Sequence, residues 1–117
     1  MFSMKFTTLA TLAILAAGTA GAHAAAHANL TAENGMTLYT FDKDTAGTSV
    51  CYEDCAVNWP PYIAEKGTEM PGLTTIERKD GAKQWAKDGM PLYFWVGDTK
   101  PGETNGDGVG GVWHVAH

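Results

Sequence analysis

The stretch GMTLYTFDKD at residues 35–44 recurs as GMPLYFWVGD at residues 89–98, with five of the ten positions identical. The same offset of 54 residues places Trp59 on Trp113 without a gap. Self-similarity at a fixed offset is the sequence signature of an internal repeat. The repeats predicted from this match are residues 30–59 and residues 84–113, each to within a few positions.

Each copy of this stretch begins with a dipeptide that is typical of tight turns. Asn34-Gly35 opens the first copy and Asp88-Gly89 opens the second. Both dipeptides favour type I′ hairpin turns, because these turns need positive φ at their central residues. A further Asp80-Gly81 pair divides the residues before the second copy into two short strand-like runs. The second half is therefore predicted to be a meander of three strands and two turns.

The residues after each turn alternate as a strand does. Tyr39 and Phe41 share one face of the first predicted strand, because side chains of a strand alternate between its two faces. No segment after the N-terminus shows a sustained helical period. The fold class predicted is all-β, a small meander or sandwich-like domain of about six to eight short strands built from two repeats. At most one short helix is expected, around Cys51–Asn58, before the helix-stopping Pro60-Pro61.

Residues 1–24 have the pattern of a secretory signal peptide. Lys5 gives a basic start, and a tract of small residues follows an apolar run at residues 6–17. This run is shorter than the roughly 20 residues that a membrane span needs. Cleavage is predicted after Ala24, with Ala26 and Ala28 as the alternatives.

Cleavage after Ala24 leaves residues 25–117 as one domain, expected in the periplasm or secreted, without a membrane span. No cysteine closely follows the apolar run, so no lipid anchor is expected. The chain has a formal net charge of −5. This charge argues against nucleic acid and anionic lipid as partners, because both would be repelled.

Cys51 and Cys55 are the only cysteines. An even number of cysteines in an exported chain is typical of a disulfide, because that compartment is oxidising. A redox pair or a thiolate metal site is the alternative interpretation. Because the spacing differs from the Cys-x-x-Cys of thioredoxin-like motifs, we predict a structural disulfide.

A pattern Tyr-x-(Phe/Trp)-x-x-Asp occurs once in each repeat. Its members are Tyr39, Phe41 and Asp44 in the first copy, and Tyr93, Trp95 and Asp98 in the second. Around it stand the two cysteines, an Asn-Trp-Pro-Pro stretch and a Gly-Gly-Val-Trp stretch. Together these features resemble the bacterial predicted lipoprotein family with a Yx(FWY)xxD motif, also called the secreted repeat of unknown function. The resemblance implies an extracytoplasmic, two-repeat domain and no particular activity.

Catalytic motifs find little support in the sequence. Ser49 is the only serine of the predicted domain, and it lacks the G-x-S-x-G context of a hydrolase nucleophile. The glycine-rich residues 106–111 match G-x-G-x-x-G but lead into a strand-like pair rather than a helix, so no dinucleotide site is expected. The duplicated Tyr/aromatic/Asp pattern favours core packing and loop capping, since two active sites are rarely needed. We therefore predict that the chain is not an enzyme and has no catalytic residues.

One metal site remains as an alternative. Cleavage after Ala24 exposes Ala25, Ala26 and His27. The free amine, two amides and an imidazole of such a terminus form a square-planar site suited to Cu(II) or Ni(II). The function predicted is a non-enzymatic periplasmic module without a cofactor, which binds an unknown small ligand or envelope protein. The alternative is a copper- or nickel-binding protein that uses this N-terminal chelate.

Overall fold

The computed structural model describes residues 28–117, so the predicted signal peptide lies outside the described residues. Short strands dominate this range. The strands are β1 (Tyr39–Phe41), β2 (Thr74–Glu77), β3 (Lys83–Lys87), β4 (Met90–Pro91) and β5 (Trp113–Val115). A short helix, α1, spans Asp54–Asn58, and a 3-10 turn covers Val109–Gly111. In the described range, no helix has both the length and the apolar character needed to cross a membrane.

The strands form two antiparallel sheets, which confirms the predicted all-β class. β1 pairs with β5, and β3 lies between β2 and β4 in the second sheet. The described residues form five strands rather than the six to eight expected. Other extended segments make only isolated bridges, such as Thr31 with Thr37 and Ile63 with Gln84, because turns and prolines interrupt them.

The second sheet has the predicted meander topology. The turn at Asp80-Gly81 joins β2 to β3, and the turn at Asp88-Gly89 joins β3 to β4. Asp88 and Gly89 have φ values of 52° and 85°, the combination that a type I′ turn requires. A Cβ at Gly89 would also lie 3.2 Å from the Cβ of Ala46. This Asp-Gly pair therefore sets the register in which Lys87 faces Met90.

The two repeats exchange strands. β1 of the first repeat pairs with β5 at the end of the second repeat. In return, Tyr62 N–H donates to the carbonyl of Leu92 at 3.0 Å, and Phe94 N–H donates to that of Pro60 at 2.8 Å. Each repeat is therefore completed by a segment of the other repeat.

A cycle of three backbone hydrogen bonds closes each half of the domain. In one cycle Leu38 N–H donates to Leu30, Leu30 N–H to Ala116 and Ala116 N–H to Leu38, at 3.0, 2.8 and 2.9 Å. The matching cycle consists of Leu92, Trp85 and Tyr62, in the same order of donation. Each cycle contains one segment from the other repeat, so the two halves are related by an approximate twofold axis.

Tyr39 and Tyr93 meet at the centre of this arrangement. Tyr39 N–H donates to the carbonyl of Tyr93 at 2.8 Å, and Tyr93 N–H donates to that of Tyr39 at 3.0 Å. Both side chains are fully buried. Equivalent residues of the two repeats thus pair with each other at the approximate axis.

The motif strands contribute to two separate hydrophobic clusters. Tyr39 and Tyr93 lie in one cluster, and Leu38 and Leu92 lie in the other. This division follows from the strand geometry, because neighbouring side chains point to opposite faces. The first cluster consists of Tyr39, Phe41, Cys51, Trp59, Tyr93, Trp113 and Val115.

Four aromatic rings stack across the first cluster. In order they are Phe41, Trp113, Trp59 and Trp95, with successive ring centroids 4.1, 3.8 and 4.2 Å apart. The outer two rings occupy matching positions of the repeats, and so do the inner two, so the stack is symmetric about its centre. Gly106 lies against the stack, since a Cβ there would be 2.8 Å from Trp59.

Candidate functional site

The duplicated tyrosines and aspartates bond across the repeats. Tyr39 O–H donates to Asp98 Oδ2 at 2.7 Å, and Tyr93 O–H donates to Asp44 Oδ2 at 2.6 Å. The second oxygen of each carboxylate caps the loop that follows its own strand. The capped amides belong to Val50 and Asn105. The Tyr and Asp of the repeat pattern therefore join the two repeats, while Phe41 and Trp95 form the ends of the aromatic stack.

The titration of these groups is shifted by their environment. Burial raises the pKa of the Tyr39 and Tyr93 hydroxyls above their ordinary value of 10.0, and donation to an aspartate raises it further. Burial also raises the pKa of Asp44, although the hydrogen bond from Tyr93 opposes this shift. Both tyrosines are thus held as neutral hydroxyl donors in the folded protein.

We expect the free energy of unfolding to fall above pH 10. The unfolded tyrosines lose their protons at their ordinary pKa, while folded Tyr39 and Tyr93 keep theirs, so rising pH favours the unfolded chain. The expected slope is about 1.4 kcal/mol per pH unit for each tyrosine. Urea unfolding at pH 8, 10 and 11 measures it. Tyr93→Phe should lower the slope; equal unfolding free energies at pH 10 and 11 would contradict this assignment.

The disulfide is a feature of one repeat only. Cys51 and Cys55 are bonded to each other, which confirms the predicted pair. The bond ties the loop before α1 to the first turn of that helix, which lies inside the segment predicted to be helical. The corresponding loop of the second repeat, residues 105–109, has no cysteine. The approximate symmetry is therefore broken at this loop.

Arg78 is a second feature that only one half contains. It is the only arginine of the chain and follows β2, in the hairpin between the two copies of the motif. Its side chain is only 5% exposed. No sequence motif singles out this residue. The one signal in the sequence is that Arg78 is the single arginine of the chain. A lone arginine beside an Asp-Gly turn shows no pattern that predicts burial.

The guanidinium of Arg78 bonds to neutral acceptors. Nη1 donates to Ser49 Oγ at 3.1 Å and to Gln84 Oε1 at 2.8 Å, and Nη2 donates to the carbonyl of Cys51 at 2.8 Å. Within the described part of the chain, the contact shorter than 4.0 Å between a carboxylate and a basic side chain is that of Asp42 with the His114 imidazole. Arg78 therefore has no carboxylate in contact among these residues.

A chain of hydrogen bonds links Arg78 to the nearest buried carboxylate. Ser49 Oγ and the Tyr93 hydroxyl are 2.5 Å apart. Because the Tyr93 proton is donated to Asp44, Ser49 supplies the proton of the bond with Tyr93. Arg78 in turn donates to Ser49. Two hydroxyl groups thus connect Arg78 to Asp44. Burial raises the pKa of Asp44, and the nearby positive charge of Arg78 opposes this shift, so the two charges also interact directly.

Two cationic side chains lie close to the ring of Tyr52. Arg78 Cζ lies 4.2 Å from the ring centroid and Lys79 Nζ lies 5.0 Å from it. The Lys79 N–H also donates to the Tyr52 hydroxyl at 2.9 Å. Cations are attracted to the face of an aromatic ring. Tyr52 therefore holds both positive side chains at one place on the surface.

These groups line a pocket of about 410 Å³, which we call the Arg78 pocket. One wall is the loop at residues 47–49 together with Tyr52, and the other is the end of β2 with the turn that follows it, including Arg78, Lys79 and Gly81. The loop of the first wall is held by the disulfide-bonded segment. The unduplicated elements of the chain thus converge on this one pocket.

The predicted N-terminal metal site is not among the described residues. Ala25, Ala26 and His27 lie outside the described residues, so the N-terminal chelate stays a prediction. Within residues 28–117, no group of three His, Cys, Asp or Glu side chains is placed to hold a metal ion. His114 Nε2 lies 2.8 Å from Asp42 Oδ2 on the exposed face of the β1–β5 sheet.

The family model described as the secreted repeat of unknown function matches this chain twice, at residues 28–62 and at residues 74–117. The chain belongs to this family, which confirms the resemblance seen in its sequence. The family is described as secreted, in agreement with the predicted location in the periplasm or outside the cell. Comparison with curated proteins and with solved structures found no match.

Proposed function

We propose that this member of the secreted-repeat family is a non-enzymatic module that binds a small ligand in the Arg78 pocket. The proposal rests on one observation: the approximate symmetry between the two repeats is broken at this pocket. The duplicated tyrosines, aspartates and tryptophans hold the two halves together. The disulfide, Ser49 and Tyr52 have no counterpart in the second repeat, and the hairpin that carries Arg78 has none in the first. Ser49, Tyr52 and Arg78 line one concave surface, next to the disulfide-bonded segment. Residues that folding alone does not require in both halves are the best candidates for function.

The volume of this surface is compatible with a small ligand. Pockets that bind small molecules have volumes of about 300–1,000 Å³ and combine apolar walls with a few placed polar groups. The Arg78 pocket, at about 410 Å³, lies in this range. An envelope protein, the other partner predicted from the sequence, would need a broader surface than this pocket provides.

A binding role is favoured over catalysis by the way in which Ser49 is held. Its oxygen accepts from Arg78 and its proton goes to Tyr93. A serine nucleophile needs a neighbouring base that removes its proton, and the hydroxyl of Tyr93 is a poor base. Ser49 therefore acts as a link between Arg78 and the core.

Nuclear magnetic resonance tests where ligands bind. A fragment library with anionic, neutral and cationic members is titrated into the ¹⁵N-labelled domain. We expect amide shifts at Thr48, Ser49, Tyr52 and Lys79, which line the pocket. Thr48→Trp, at an exposed lining position, should remove the response by filling the entrance, whereas Thr104→Trp, in the second repeat, should not.

The competing location is a pocket of about 530 Å³ beside Met70 and Trp85. Shifts confined to that surface, or no amide shift from any library member, would refute the assignment of ligand binding to the Arg78 pocket.

A further inference from the structure

We infer that the ligand of the Arg78 pocket is a small organic anion whose carboxylate is bound by Arg78 and Lys79. This inference rests on the proposed function and adds the chemical class of the ligand. The main observation behind it is that Arg78 is buried. Its hydrogen bonds to described residues go to one hydroxyl, one amide oxygen and one backbone carbonyl. A buried charge is costly unless an opposite charge or an excess of hydrogen bonds compensates it.

The guanidinium also has donors left for a ligand. The hydrogen bonds within the described part of the chain use three of its N–H groups, two on Nη1 and one on Nη2. A guanidinium carries five such groups in a planar fork. The remaining two belong to Nε and Nη2, and both are charge-assisted donors for a carboxylate.

A second positive charge stands beside the first. Lys79 is exposed and its Nζ approaches the same Tyr52 ring as the guanidinium. Two cations held close together repel each other, and a bound anion removes this repulsion. The repulsion between Arg78 and Lys79 is therefore smallest when an anion occupies the pocket.

The acidic residues near the pocket have neighbours of their own. Glu77 at the rim faces Lys83 across the β2–β3 pair. Asp80 Oδ1 accepts the N–H of Ala82 within the turn, at 3.0 Å. The pocket walls thus carry two cations against one exposed carboxylate that has its own cationic neighbour.

The charge of the whole chain favours a monoanion. A net charge of −5 repels every anion, and it repels a dianion about twice as strongly as a monoanion. A carboxylate carries a single charge and matches the planar fork of arginine. Phosphate monoesters share the oxyanion chemistry and are separated from carboxylates by the experiment.

Matched probes test the charge requirement. Benzoate, benzamide, benzylammonium and phenyl phosphate share a ring and differ in the attached group. Titration by calorimetry or nuclear magnetic resonance should show benzoate binding about tenfold or more tightly than benzamide, a difference of about 1.4 kcal/mol. Benzylammonium should not bind, and phenyl phosphate should bind more weakly than benzoate.

Three variants separate the cations of the pocket from the general charge of the protein. Arg78→Met should abolish benzoate binding. If that variant does not fold, Lys79→Met decides, because Lys79 is exposed. We expect Lys79→Met to weaken benzoate binding about threefold to tenfold. Lys100→Met, an exposed lysine of the second repeat, should change it by less than about twofold.

Equal affinities for benzoate and benzamide, or equal effects of Lys79→Met and Lys100→Met, would overturn the inference. If a neutral or cationic library member still shifts the amides of Thr48 and Tyr52, the proposed binding function survives and only the ligand class is wrong. Tighter binding of phenyl phosphate than of benzoate would replace the carboxylate by a phosphate. If no probe shifts those amides, both the function and the ligand class fail.

Discussion

We expect that neither repeat folds by itself, whereas a chain cut once between the repeats stays folded. The cut is placed between Lys66 and Gly67, in an exposed loop. Residues 28–66 alone would lack β5, the partner of β1, and residues 67–117 alone would lack the segment that bonds to Leu92 and Phe94. Fragment 28–66 keeps a single unpaired strand. Fragment 67–117 keeps the β2–β3–β4 sheet but loses Leu38 and Tyr62, which complete its hydrophobic cluster. A small sheet that lacks its packing partner is marginally stable at best in water.

Circular dichroism and the dispersion of amide resonances measure this outcome. Each fragment should give the spectrum of an unfolded chain, and an equimolar mixture should recover the signals of the cut protein. The fraction of folded complex should fall on dilution, because the two fragments are no longer covalently linked. A fragment 67–117 that is folded in isolation would show that the strand exchange is not what stabilises the domain.

Trp113→Ala is expected to unfold the protein at room temperature. Trp113 stacks between Phe41 and Trp59, with centroids at 4.1 and 3.8 Å, and meets the edge of Tyr93 at 5.2 Å. Removing a buried tryptophan costs about 3–5 kcal/mol. The whole free energy of unfolding of a small domain is of the order of 5 kcal/mol, so the loss is comparable to the total.

Two variants serve as controls for the loss of the stack. Trp113→Phe keeps an aromatic ring between its neighbours and should cost clearly less than Trp113→Ala. Val57→Ala removes an apolar side chain that is 69% exposed and should change stability by less than about 0.5 kcal/mol. Urea unfolding followed by tryptophan fluorescence compares the variants. An unfolding midpoint of Trp113→Ala within a few tenths of a molar of the parent protein would contradict the central role of the stack.

The sequence predicted the local structure well where single residues have strong backbone preferences. Asp80-Gly81 and Asp88-Gly89 marked the two turns of the meander, because glycine accepts positive φ at little cost. The prolines after Asn58 marked the end of α1. The extra strands that were predicted are isolated bridges, since alternation alone does not show whether a neighbouring segment is long enough to pair.

The candidate site was predicted only in part. The Tyr/aromatic/Asp residues were found as a pattern, and Cys51 with Cys55 as a pair, because repetition and compartment are visible in sequence. Their partners were not visible. Tyr39 reaches Asp98 across 59 positions of the chain, and nothing in the spacing indicates which aspartate a tyrosine will meet.

The sequence by itself determined that the chain is a secreted, all-β, disulfide-bonded domain of two repeats, because turns, alternation and duplication are properties of neighbouring residues. The tertiary structure alone decided that the repeats exchange strands and that Arg78 is buried. The burial of Arg78 depends on Ser49 and on the carbonyl of Cys51, which lie 29 and 27 positions away. Contacts over such separations form only when the exchanged strands bring both halves together, so no local pattern encodes them.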